Sequence, residues 1–244
     1  MPEGDSIRRI ADALAPLVGE VVSATSPNPR GRLTGVAKAV DGRRLERVSS
    51  TGKNLFLHFE GGVVVRSHLL MSGRWRIEPA GGQLRGKPWL VLEAAGLRAS
   101  QWHGPVLEVV RGRLRLGLDI LDAATAPAAL VARLRQASPE RSLAEVLVDQ
   151  RLIAGIGNLW LAEALWRAQL SPRRRLGAVT DDELESLLTW TREEMTLAVG
   201  RGRRRVNAYR RAGRPCPRCG TPIVTYRLGE HARSMYVCER CQPG

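Results

Sequence analysis

The feature that most constrains this chain is Cys216-x-x-Cys219 followed, after eighteen intervening residues, by Cys238-x-x-Cys241. Each pair supplies two thiolates from one tight turn, and two such turns close a tetrahedron of sulfurs around a single Zn²⁺ with no open position for catalysis. Two disulfides are the competing reading, and the lack of a secretory leader argues against them. A module of about 30 residues cannot build a core alone, so metal binding is expected to supply most of its folding energy. Residues 214–244 are therefore expected to form a zinc ribbon, and the remainder of the chain must be organised around its own cores.

Upstream, the periodicity changes twice. Ile7, Ile10, Ala11, Leu14 and Leu17 fall on one helical face, with Gly4-Asp5-Ser6 as start signal and Gly19 as stop. Pro2 and Glu3 thus sit just ahead of a helix N-terminus. Across 20–110, short runs at 54–59, 63–66, 89–93 and 106–110, punctuated by Gly and Pro, predict an all-β sandwich or barrel. After about Asp122 the pattern turns helical. Ser142-Leu143-Ala144-Glu145 and Thr180-Asp181-Asp182-Glu183 are capping-box sequences. Between them, 151–158 and the apolar stretch 159–170 predict helix, glycine turn, helix. The expectation is an α+β multidomain chain, with a β-sandwich and flanking helix over 1–122, a helical domain over 123–213 and the ribbon over 214–244.

Charge narrows the partner. Lys+Arg 38 against Asp+Glu 24 gives +14, spread along all 244 residues rather than gathered in a tail, and 43% hydrophobic residues make the chain globular. A polyanion is the natural ligand. Glu3, Asp5, Arg8, Arg9 and Asp12 interrupt any secretory h-region, and no stretch reaches the roughly 18 apolar residues of a membrane span. A cytoplasmic, nucleoid-associated monomer is expected.

Two further motifs carry chemistry. Gly155-Ile156-Gly157-Asn158 between two helices suits a phosphate approaching backbone N–H groups, with Asn158 as side-chain donor, although most such pairs are simply turns. Met1-Pro2 has an initiator methionine of the removable kind, and removal exposes a secondary amine. An α-amine has a reference pKa of about 7.7–8 against about 10.4 for lysine, so much more of it is the neutral nucleophile. The positive end of the following helix disfavours the ammonium further. Glu3 then stands beside it as general acid/base. A helix lead-in of no catalytic meaning is the plain alternative.

The ordered blocks Met1-Pro2-Glu3-Gly4-Asp5, Thr51-Gly52-Lys53-Asn54-Leu55, Ser67-His68-Leu69-Leu70-Met71-Ser72-Gly73, Asp149-Gln150-Arg151-Leu152-Ile153-Ala154-Gly155-Ile156-Gly157-Asn158 and the four-cysteine ribbon together resemble the formamidopyrimidine-DNA glycosylase/endonuclease VIII family from end to end. The resemblance implies an N-terminal β-sandwich catalytic domain, a helix–two-turn–helix domain and a zinc finger, with damaged DNA bound between domains. It also implies Pro2 as Schiff-base nucleophile, Glu3 as the acid assisting opening of the deoxyribose ring, and Lys53 as a lesion-site contact supporting elimination. Asn158, Arg115 and Arg233 match phosphate or DNA contacts. Met71 matches the apolar residue that fills the gap left by a flipped base, a buried strand methionine being the plain alternative. Two departures stand out: Leu70 replaces a polar gap-filler of several endonuclease VIII proteins, and 98–105 lacks the Arg-x-Phe-Gly element of formamidopyrimidine enzymes.

The activity implied is a bifunctional glycosylase/AP lyase working by a Pro2 iminium and β,δ-elimination. The short passage 199–215 leaves little room for a purine-covering loop, which favours oxidised pyrimidines. Alternatives are an 8-oxoguanine/formamidopyrimidine enzyme, a catalytically silent damaged-DNA binder on the same scaffold, and a zinc-ribbon nucleic-acid-binding protein of no enzyme ancestry.

Overall fold

The computed structural model describes residues 2–112, 114–202, 206–229 and 232–243. Two compact units emerge: Ser6–Leu114 together with Pro2, and Arg115–Gly244 together with Glu3–Asp5.

In chain order the first unit holds α1 (Gly4–Leu14, its first residues belonging to the other unit), β1 (Ser23–Thr25), α2 (Pro29–Leu33), α3 (Val36–Val40), β2 (Leu45–Thr51), β3 (Asn54–Phe59), β4 (Val63–His68), β5 (Arg74–Pro79), β6 (Leu90–Ala94), β7 (Leu97–Trp102) and β8 (Val106–Val109). Two four-stranded antiparallel sheets form, in the orders β1-β6-β7-β5 and β2-β3-β4-β8. Strand β3 shows why: Leu55, Leu57 and Phe59 alternate into the core while Phe56 and His58 stay partly exposed. Leu45, Val65, Leu90, Leu92 and the α1 face of Ile7 and Leu14 complete that core.

Four strands of this unit, β1, β2, β5 and β7, lie outside the runs read from the sequence. In β5, Arg74 and Arg76 alternate with Trp75 and Ile77, while β7 buries Ser100 and Gln101 completely, so neither shows an apolar run. Strand β2 has mostly polar or half-exposed positions. Helices α2 and α3 also fall within the stretch read as strands. Asn28 caps α2 by accepting the Arg30 N–H at 2.9 Å, with Pro29 at the first helical position.

The second unit runs β9 (Leu118–Asp119), α4 (Pro127–Leu134), α5 (Leu143–Leu147), β10 (Ile153–Ala154), α6 (Asn158–Ala168), α7 (Asp181–Arg201), β11 (Val224–Leu228) and β12 (Arg233–Val237). Both capping boxes form, at Ser142/Glu145 and Thr180/Glu183. The segment between α5 and α6 is more elaborate than a glycine turn. Its β10 pairs in parallel with β9, and Gln150 staples the bend by donating to the carbonyls of Val148 and Ile156, both at 2.9 Å, while accepting from Gly155 at 3.0 Å. The ribbon does not stand alone either: Met235 and Val237 of β12 join the core of the helices. Apolar packing therefore shares with metal the task of holding it. Among the described residues no helix is long and apolar enough to cross a membrane.

Candidate active site and DNA-binding surface

Helix α6 has no cap of its own, because Gly157 precedes it. Glu3 supplies the missing acceptor. Its carboxylate takes the backbone N–H groups of Leu159 at 2.8 Å, Gly157 at 2.9 Å and Trp160 at 3.2 Å, and the side chain is only 3% exposed. These are donors a helix start leaves unpaired, and a carboxylate there also meets the positive end of the helix dipole. A Cβ at Gly157 would lie 2.4 Å from the Glu3 carboxyl carbon, so this glycine makes room for the protein's own carboxylate. The reading of the glycine pair as an approach for phosphate changes accordingly: the anion on these amides is Glu3. Next to it, Gly4 donates to the Gly155 carbonyl at 3.0 Å, and buried Asp5 accepts from the Trp160 indole at 3.0 Å.

Asn158 opens α6, and its side-chain amide lies 3.5 Å from the carbonyl of Ser234, the neighbour of Arg233 on β12. The fold thus brings Asn158, the Arg233 segment and Glu3 to one helix end. Arg233 itself is partly buried at the start of β12. Deeper in α6, buried Glu163 accepts the backbone N–H groups of Asn207 at 2.8 Å and of Ala208 and Tyr209 at 2.9 Å, plus the Asn207 amide at 3.1 Å. It fixes the turn leading into the ribbon, where Tyr209 packs edge-on against Tyr236 with ring centroids 5.3 Å apart. Arg115 is exposed on the segment before β9. Arg203, Arg204 and Arg205, within the passage 199–215, lie outside the described residues, as does Met1.

The sheet unit holds the other residues. Pro2 is half-buried, and Lys53, in the β2–β3 turn after Gly52 (φ +56°), is only 8% exposed rather than solvated. Lys53 stands near His68 at the end of β4, whose pKa is lowered by burial and then by the charges of Arg66 and Lys53. Two residues on, Leu70 and Met71 protrude, with Met71 70% exposed, so it is not a buried strand residue.

At the ribbon, the four cysteine sulfurs lie within 4.8 Å of one another. Cys216 and Cys241 are 4.0 Å apart, and Cys219 and Cys238 3.4 Å. Tetrahedral Zn–S bonds of about 2.3 Å place sulfurs roughly 3.8 Å apart. Four thiols at these separations, none in a disulfide, fit one structural zinc. The Trp166 indole of α6 donates to Cys216 Sγ at 3.3 Å, and the Arg218 guanidinium stacks 4.4 Å from the Trp166 ring.

Family models match along the chain: the formamidopyrimidine-DNA glycosylase N-terminal domain over residues 1–103, its H2TH domain over 116–209, and a zinc finger found in FPG and IleRS over 213–244. A probable endonuclease 8 2 of Streptomyces coelicolor is 33% identical, with 100% of this chain and 95% of the relative covered. The chain belongs to the formamidopyrimidine-DNA glycosylase/endonuclease VIII family. Members of this family are bifunctional DNA glycosylase/AP lyases. Both branches are represented among the relatives of this chain. The DNA-(apurinic or apyrimidinic site) lyase Nei2 of Mycolicibacterium smegmatis is 35% identical with 99% of each chain covered, and a formamidopyrimidine-DNA glycosylase of Thermus thermophilus is 33% identical with 99% and 98% covered. The crystal structure of the MutM (Fpg) protein from Thermus thermophilus superposes with a TM-score of 0.80 at 30% identity, covering 99% of this chain and 98% of that one. The Lactococcus lactis enzyme bound to abasic-site DNA shares the family fold at a TM-score of 0.83 and 20% identity, with 99% and 100% covered.

Four site residues escaped the sequence reading: Asp5, Glu163, Trp166 and Tyr209. Glu163 had a signal, since it is the lone acid within the apolar run 159–170. A charge there must be partnered if buried.

Proposed function

We propose that this enzyme excises oxidised bases, pyrimidines before purines, and cleaves the strand through its N-terminal proline. The observation that carries the reading is the Glu3 carboxylate locked onto the start of α6. It anchors the residue next to Pro2 at the same helix end as Asn158, and an N-terminus held so firmly suits a terminus that reacts.

The Pro2 nitrogen attacks C1′ of the flipped nucleotide, the C1′–base bond breaks, and the base leaves with the electron pair and takes a proton from solvent. Glu3 takes the proton that the Pro2 nitrogen gives up and passes it to the ring oxygen as the C1′–O4′ bond opens, leaving an iminium on Pro2. That electron sink acidifies C2′; loss of its proton expels the 3′ phosphate, and a second elimination expels the 5′ phosphate. Hydrolysis then frees Pro2. Lys53 contacts the lesion site and supports elimination, while Asn158, Arg115 and Arg233 hold phosphates and Met71 fills the vacated stack. The zinc supplies no chemistry to these steps; the cysteine cage holds the hairpin that presents Arg233. The working unit is a monomer acting on damaged DNA in the cytoplasm at the nucleoid, with catalytic, helix–two-turn–helix and zinc-finger domains over 1–122, 123–213 and 214–244.

The short 199–215 passage supports the pyrimidine preference, since larger purine lesions need an added covering segment. Borohydride trapping and single-turnover rates on thymine glycol, dihydrouracil and 8-oxoguanine, in duplex, bubble and single-stranded DNA, test it. Faster trapping on the pyrimidines, with little dependence on the opposite base, is expected. Preference for 8-oxoguanine opposite cytosine in duplex alone overturns the substrate reading, and absence of trapping on every lesion overturns the chemistry in favour of a silent binder.

A further inference from the structure

The turn between β4 and β5 holds an unusual backbone. Leu70 sits at φ +45°, in the left-handed region that a leucine rarely adopts, yet its side chain is 45% exposed and gains little from burial. Something else must hold it. The Leu70 N–H donates to Nδ1 of His68 at 3.2 Å. On the other side, buried Leu69 pins the turn to the core, and the Gly73 N–H closes it onto the Leu69 carbonyl at 2.8 Å. A Cβ on Gly73 would lie 2.7 Å from that same carbonyl oxygen, so the loop has no slack at its far end. Among the described residues, the imidazole of His68 is the side chain seen bonded to the protruding tip.

We propose that His68 is the positioning residue of the gap-filling turn: by accepting the Leu70 N–H through Nδ1, its neutral ring holds Leu70 and Met71 in the shape in which they enter DNA. The inference rests on the reading of Met71 as gap-filler. It fixes the tautomer, because a ring that accepts at Nδ1 carries its proton on Nε2. Burial and the neighbouring Arg66 and Lys53 charges favour the neutral ring that this bond requires. A protonated ring would set a donor against a donor.

Two isosteres separate the ring's two nitrogens. Asparagine places its carbonyl oxygen close to the position of Nδ1, whereas the longer glutamine reaches that of Nε2. Insertion of the tip is followed by stopped-flow fluorescence of 2-aminopurine stacked beside a lesion in duplex DNA, with His68→Asn, His68→Gln, His68→Ala and Met71→Ala in the full-length protein. His68→Asn is expected to insert within about threefold of the parent rate, while His68→Gln and His68→Ala slow by about tenfold, the factor equivalent to about 1.4 kcal/mol. A slow Asn variant beside a fast Gln variant means the ring acts through Nε2 and overturns the proposal; equal losses in both do the same. Parent-like insertion by Met71→Ala removes the gap-filler reading itself, and the inference with it. Independently of any variant, the ¹⁵N shifts of His68 at pH 7.5 must report a neutral ring protonated at Nε2. A proton at Nδ1 sinks the assignment.

Discussion

Glu3 accepts the backbone N–H of Leu159 at 2.8 Å across 156 residues of sequence. One side chain is thereby both the neighbour of Pro2, the proposed nucleophile, and the acceptor that caps the helix that carries Asn158. Catalytic and structural roles cannot be separated at this position by deleting the carboxylate.

Glu3→Gln is therefore expected to fail in two ways. Its amide must turn an NH₂ toward one of the N–H groups that the carboxylate accepts, leaving a buried donor unsatisfied at about 1–3 kcal/mol. Thermal denaturation should show that loss. Excision of intact lesions should fall further than cleavage at a preformed abasic site, because the second reaction starts from an already opened sugar. Equal losses in the two assays, with the stability change accounted for, contradict the acid role.

Glu163→Ala tests the second buried carboxylate. Three backbone N–H groups, at Asn207, Ala208 and Tyr209, lose their acceptor. A destabilisation of about 3 kcal/mol or more is expected. Hydrogen exchange should localise it to 207–209, and unchanged protection there refutes the assignment.

One tightly held Zn²⁺ per chain is expected by metal analysis, and chelation should weaken DNA binding rather than stop a metal-dependent step. Trp166→Phe removes the N–H donor to Cys216 together with part of the ring on which Arg218 stacks. Loss of zinc to a chelator should then be about tenfold faster. Identical release rates mean the indole bond contributes nothing to metal retention.

Arg115→Ala and Arg233→Ala should each weaken binding about equally across lesion sequences, and flatten the log–log dependence of affinity on salt by about one unit. Asn158→Ala should weaken binding without changing that slope, since no charge is removed. A slope unaltered in both arginine variants places them away from phosphates.

A pH dependence follows from His68, whose pKa is lowered below 6.5 by burial and the Arg66 and Lys53 charges. A depressed pKa means that the folded state takes up this proton later than the unfolded one, so the ring's contribution is present above 6.5 and is lost as pH falls through the lower folded value. Insertion of the gap-filling tip should decline on acidification with a midpoint below 6.5, and the decline should be absent in His68→Asn.

Local signals were the legible ones. The two Cys-x-x-Cys pairs, both capping boxes and the strand-like run at 54–59 are each written in local sequence, and each forms as the sequence predicts. Strand β7 was hidden because Ser100 and Gln101, polar residues, fill buried positions. Helices α2 and α3, five residues each, are too short to show a helical period. Gly157 illustrates the harder limit. Its lack of a side chain is explained by a carboxylate 154 residues away, and no local pattern carries that information.

Helix α6 is gripped at three levels: Glu3 at its first turn, Glu163 reaching out from its middle, and Trp166 touching Cys216 near its end. At 3.6 residues per turn, one inserted or deleted residue rotates everything beyond it by about 100°. An indel between 160 and 163 would swing Glu163 off the 207–209 turn and Trp166 off the ribbon together, while the Glu3 cap stayed in place. Substitutions at positions of this helix other than Glu163 and Trp166 can be absorbed singly, but its length cannot drift. Among descendants of this protein, the interval from Gly157 to Trp166 should be free of gaps even where the residues within it have changed.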